Sequence, residues 1–377
     1  MLRKLVPALG VLTLCAAAPA QEIAKGLFLD GWVDTIFTVV DTPYPADVDA
    51  NGNPIGPATY STRDASTDFS ATASLKVGYK IADRVSAKMN LWFNTGDSSF
   101  TAREMFVNVD LGNNATWTMG KFINHLGWIA AEPTGLYRVN GSTIGYGGTF
   151  YGANDPIGTG LGWTDPNGIF GATAYVTNGY FDGKDGNNAD SVDNGVSQKK
   201  NAVGLGLDLV ANVGPDKATN LNLDFAIDSN LTPDYTYILG LNATSKLRGK
   251  DDPVKLGAEI IAKVTQNGGG STGGDSLNTL GFLGMVNYQL PEGSNKVPMS
   301  VTMMYQRIDN DFNGSSGGPG GADINEVSLA LLTNPFGSSS FGLNFEAAYA
   351  FIDTDPNSAG SGDNVTTVAM EAIVVIP

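Results

Sequence analysis

Reactive side chains are nearly missing from this sequence. Its one cysteine, Cys15, and its one histidine, His125, cannot close a zinc site. Nor does anything beside His125 resemble the motif that supports a Ser/His nucleophile. Gly158 and Gly160 form a lone Gly-x-Gly without the strand-to-helix setting of a nucleotide loop. Enzyme chemistry is therefore not expected. Charge is scarce too, and basic charge most of all: 22 Lys and Arg stand against 38 Asp and Glu. That balance argues against nucleic acid or anionic lipid as a partner and leaves an attraction for cations. Long apolar runs are also absent, since none reaches the roughly 20 residues of a membrane-spanning helix. A chain that enters a membrane without such a helix must do so as closed strands.

The first twenty residues have a different character. Arg3 and Lys4, the largely apolar stretch 5–17 and the small-x-small pattern Ala18-Pro19-Ala20 read as an export signal cut before Gln21. The expectation is a removed segment 1–20 and a single domain over 21–377. Cleavage takes away Cys15, leaving no thiol or disulfide chemistry. It also removes two basic residues, leaving 20 against 38 and a formal charge of −18.

What the chain does have is alternation. Phe69, Ala71, Ala73, Leu75, Val77 and Tyr79 point one way, and Ser70, Thr72, Ser74, Lys76 and Gly78 the other. The apolar face is aliphatic in the middle and aromatic at both ends. Ten steps of about 3.3 Å, tilted by about 40°, rise roughly 25 Å, the height of an outer-membrane barrel's apolar band. Phe341–Phe351 repeats the design, and weaker versions recur over 85–93, 203–213, 221–228, 254–264 and 365–376. The count comes to about 16 strands, within 14–18. Connections alternate between long or Gly/Asp-rich and compact; 230–234 is the exception. A soluble sandwich alternates as well, but it gives no reason for that parity or for aromatic ends on an aliphatic stripe. The fold class read here is a transmembrane antiparallel up-and-down β-barrel, with long external loops, short periplasmic turns and both termini periplasmic.

Gly120-Lys121-Phe122 ends a strand and leads into a long loop containing Gly127. Here the chain resembles bacterial outer-membrane porins, most closely the OmpL-like β-barrel porin family, with specific likeness around 117–151. The resemblance implies an outer-membrane location amid lipid, passive diffusion of small hydrophilic solutes or ions, and a homotrimer. The sequence departs from the pattern at its end, where Val374-Val375-Ile376-Pro377 replaces an aromatic terminus.

In general porins the third external loop, here 124–156, folds inward and sets the pore. It carries His125, Glu132, Arg138 and Asp155, and an inward fold would set Glu132 against Lys76, Lys80 and Lys88 on the wall. The bland alternative is a solvated flap. Small, uncharged inward positions suit a water-filled lumen, and the net charge suggests a mild cation preference. Two other functions remain open: a non-conducting surface or adhesion barrel, and a sugar-specific channel with Trp92, Trp128 or Tyr137 as a stacking path. No cofactor is expected apart from calcium in the loops. Asp47, Asp49 and Asn51, and Asp309, Asp311 and Asn313, reproduce the opening half of a calcium loop. Ala58 and Gly320 stand where its bidentate acid belongs, and Asp and Asn are also ordinary turn residues.

Overall fold

The computed structural model describes residues 21–43, 63–95, 99–127, 138–139, 155–180, 203–229, 235–266, 276–291, 297–312, 323–334, 340–353 and 363–376. Its strands are β1 (Gln21–Ala24), β2 (Leu27–Pro43), β3 (Arg63–Ala82), β4 (Val85–Asn94), β5 (Ser99–Gly112) and β6 (Ala115–Lys121). They continue with β7 (Ile157–Thr164), β8 (Phe170–Thr177), β9 (Val203–Val213), β10 (Thr219–Ser229), β11 (Tyr235–Ser245) and β12 (Val254–Gln266). The series ends with β13 (Ser276–Gln289), β14 (Met299–Phe312), β15 (Asp323–Thr333), β16 (Phe341–Asp353) and β17 (Asp363–Ile376).

Each strand from β2 onward pairs antiparallel with its neighbour in sequence, and β17 returns to pair with β2 from Thr366↔Asp41 to Ile376↔Gly31. The result is a closed ring of 16 strands, with β1 folded back on β2 as a short hairpin. Closure leaves no edge, so every ladder N–H and C=O can be satisfied in hydrocarbon. The expected parity of connections holds broadly. One end carries short turns such as 83–84, 113–114 and 214–218, and the other carries 44–62, 122–156 and 178–202. Asn113 and Asn114, both at positive φ (51° and 60°), make a two-residue turn whose twist matches the flanking strands. One expected long connection, 95–101, shrinks to 95–98 because β5 begins at Ser99.

Alternation puts the apolar residues outside. Phe69, Leu161, Leu241, Met303 and Leu329 are all more than half exposed, the reverse of a water-soluble core. Phe37 packs on Phe69 at 4.5 Å and Phe93 on Phe100 at 5.0 Å, both toward the long-loop end. They form part of an aromatic girdle there.

The inside departs from expectation. A water-filled lumen predicts small polar inward residues throughout, yet Ala226, Ile238, Ile261, Leu283, Met285, Met304 and Ile308 of β10–β14 form one buried cluster. Apolar doublets such as Ile260-Ile261 and Met303-Met304 carry it, since one member of each must face inward whichever way the strand is set. The cluster is completed by Leu126 and Tyr180, which belong to connections rather than strands.

Candidate functional site

The connection leaving β6 turns into the ring. Asn124 Oδ1 accepts the Leu126 N–H at 3.1 Å, a local turn that aims Leu126 at the apolar cluster. His125 stacks on Tyr175 of β8, with ring centroids 4.0 Å apart, and its Nε2 lies 3.1 Å from Asp208 Oδ1 of β9. The Gly127 N–H donates to Asp224 Oδ2 of β10 at 3.1 Å. Tyr180, entering from the β8–β9 connection, is wholly buried beside His125 and donates its N–H to both oxygens of Asp228. Burial, then Asp208 and Asp228, push its hydroxyl pKa well up. Gly206 makes room for that ring, because a Cβ there would sit 2.1 Å from the Tyr180 hydroxyl.

Eleven residues further on, the same connection is fixed to another sector of the wall. Arg138 donates from Nε (3.1 Å) and Nη2 (2.6 Å) to Glu346 Oε1 of β16, and from Nη1 to Glu326 Oε1 of β15. The Val139 N–H donates to Glu346 Oε2 at 2.6 Å. Gln306 of β14 braces Glu326 at 2.8 Å. Burial opposes the charge on Arg138, but Glu346 and Glu326 together outweigh it, so its pKa is raised.

A ring of 16 strands spaced about 4.8 Å apart and tilted about 40° is roughly 30 Å across its backbone. From β10, which holds Gly127, to β15 and β16 is five or six places around it. The two attachments therefore stand about a third of the ring apart. Eleven residues extend to at most about 38 Å, enough to join them.

The third attachment is at the return. Asp155 Oδ1 accepts from Arg103 Nη2 at 2.9 Å, and its Oδ2 accepts from Nε of the same guanidinium. Arg103 also lies 4.3 Å over the Trp92 ring, and Trp92 meets Trp32 edge-on at 5.0 Å. A β-bulge explains the direction of Arg103. Asn90 pairs with Glu104 and Leu91 with Ala102, so Arg103 is the extra residue and is turned inward. Burial pushes the Asp155 carboxyl up to about 6, against the pull of Arg103 and Lys121. The Phe122 N–H donates to Pro156 O at 3.1 Å and closes the base of the connection.

Three of the four candidate constriction residues, His125, Arg138 and Asp155, thus reach the inner wall; Glu132 lies outside the described residues, with Trp128 and Tyr137. Lys76 and Lys88 stand on the inward register, and Lys88 pairs with Glu104 at 2.7 Å. Lys80 is inward by register but sits beside the short turn, 3.2 Å from Asp83 and away from the three attachments. The face of Trp92 is taken by Arg103 rather than left for a sugar. Asp309 and Asp311 are strand residues of β14 paired with β13, not loop residues, and Asp309 meets Arg307. Asp47, Asp49, Asn51 and Asn313 lie outside the described residues. The wall partners Glu326, Tyr175 and Tyr180 went unrecognised; inward parity marks the strand residues among them, but nothing local tells which loop each meets.

The closed 16-strand ring matches solved channel structures in its fold. The outer-membrane channel DcaP of Acinetobacter baumannii superposes at a TM-score of 0.61, covering 95% of this chain and 99% of that one at 13% identity. The chain has the porin fold. OmpF of Salmonella typhi gives 0.59, covering 94% of this chain and 100% of its own at 14% identity. The anion-selective porin from Comamonas acidovorans gives 0.55, covering 93% and 99%, also at 14%. At such identities the porin fold is what is shared, and the anion selectivity belongs to the Comamonas protein. No protein-family model and no curated protein sequence matches this chain.

Proposed function

We propose that this protein is an outer-membrane channel through which small hydrophilic solutes or ions diffuse passively. The observation that carries the reading is the attachment of the β6–β7 connection to three sectors of the inner wall, through Gly127, Arg138 and Asp155. A barrel with a free lumen would not discriminate among small solutes. A connection held across it narrows the passage and lines it with charge, which is how pores select. The export-signal pattern of residues 1–20 and the likeness of residues 117–151 to OmpL-like porins support the location and the family. The acidic balance of the chain supports a mild preference for cations.

One observation favours a second reading, a non-conducting surface barrel. The buried cluster over β10–β14 fills part of the interior with Leu126 and Tyr180. Refolded protein in a planar bilayer separates the two. Steady single-channel current, with a reversal potential biased toward cations in a salt gradient, supports the channel. A folded barrel that inserts and stays silent overturns it.

A further inference from the structure

The inner wall does not meet water evenly. Two sets of inward residues, placed alike relative to the short-turn end, carry the contrast. On β11–β15 the set is Thr244, Lys255, Asn287, Thr302 and Ala330, each among the four residues of its strand nearest that end. None of the five is more than 8% exposed. On β4 and β6–β8 the counterparts are Ser86, Thr116, Gly162 and Thr173, equally near the short turns, and all four are only half-buried.

Register makes most of the second set one strip, since Thr116 pairs with Gly162 and Gly162 with Thr173. The strip is bare. Among the described residues, a Cβ at Gly162 would meet nothing within 4 Å beyond its ladder neighbours Thr173 and Thr116. One inward step toward the loop the wall is covered, because a Cβ at Gly160 would sit 2.8 Å from the Tyr175 ring that carries His125. On the far wall polar groups serve one another, as where Asn287 Nδ2 donates to Thr302 Oγ1 at 2.8 Å. The apolar cluster of β10–β14 and the carboxylates that hold Arg138 occupy that same side. A wall position shut away from water cannot line a path, and selectivity belongs to the positions that do.

We propose that below the β6–β7 connection the water passage is off-centre, running along β4–β8, and that Thr116, Gly162 and Thr173 set its width. Its use by solutes rests on the channel reading, whereas the placement of the water does not. Cysteine labelling tests it. A C15S background is free of thiols, since Cys15 is the chain's one cysteine. Into it go G162C and A330C, two exchanges of small inward residues at like distance from the short turns. Each folded variant in detergent micelles is treated with trimethylammonium-ethyl methanethiosulfonate, and labelling is followed by intact mass. G162C should react at least about tenfold faster than A330C, because labelling follows a thiol's access to water. In a planar bilayer the reagent should lower the single-channel current of G162C and leave that of A330C unchanged. Heat-dependent mobility on gels shows which variants fold, and T173C replaces G162C if it does not. Equal rates, or a faster A330C, overturn the proposal. So does a labelled G162C whose current is unchanged. Fast labelling of G162C in a barrel that never conducts keeps the water along β4–β8 and removes the channel. A conducting barrel whose G162C resists the reagent does the reverse.

Discussion

The β6–β7 connection is held at its two ends by different physics. Near its start, Leu126 enters an apolar cluster, His125 lies on an aromatic ring and Gly127 offers a backbone N–H. From its middle to its return, Arg138 and Asp155 are held by opposite charges. Apolar burial such as that of Leu126 is not screened by salt as ion pairs are, whereas the pairs of Arg138 and Asp155 answer to salt and pH and depend on a complete set of partners. The start should therefore behave as part of the barrel, and the rest as a part that chemical conditions can release.

The largest expected effect is R138A. Removing the guanidinium leaves Glu346 and Glu326 buried without it, a loss of about 3–5 kcal/mol in holding the loop. Single-channel recordings should show a larger, noisier conductance. A trace identical to wild type would mean that the ionic attachment holds nothing. Next comes L126A, where truncation at a packed site costs about 3 kcal/mol. Its thermal unfolding in micelles should move down equally at low and high KCl, and a strongly salt-dependent loss would erase the contrast between the two ends. The smallest effect is on pH. With its folded pKa raised to about 6 from an ordinary 3.8, Asp155 binds a proton more tightly when the loop is held. Holding should strengthen as pH falls through 6, by about 1 kcal/mol between pH 7 and 5, and level off above 6. Current noise should fall over that range in wild type and stay flat in D155N; a rise on acidification would reverse the sign.

Much of this contrast was legible at the level of single strands. Alternation located the clearest strands, among them β3, β4, β9, β10, β12 and β16, because a period of two depends only on neighbours. The charged loop residues were legible as well, since His125, Arg138 and Asp155 stand out in a chain so poor in basic groups. Their partners were not. Arg138 meets Glu346 across 208 positions, and no local pattern encodes how far around a ring a loop will reach. Arg103 was hidden for another reason, in that a bulge turned it inward against the strict alternation that served elsewhere. Part of the apolar inner cluster was hidden in doublets such as Ile260-Ile261, where the first member already accounted for the lipid-facing position.

The seam between β2 and β17 sets the order in which the molecule can come into being. It joins Gly31 to Ile376, residues 345 positions apart. Until the last strand is in hand, the nascent sheet has two open edges and a face of exposed leucines and phenylalanines. No partial ring is tolerable in hydrocarbon, since each unpaired ladder group costs several kcal/mol there. Closure is thus a single late event, and whatever guards the unfinished chain must hold both margins apart until they meet.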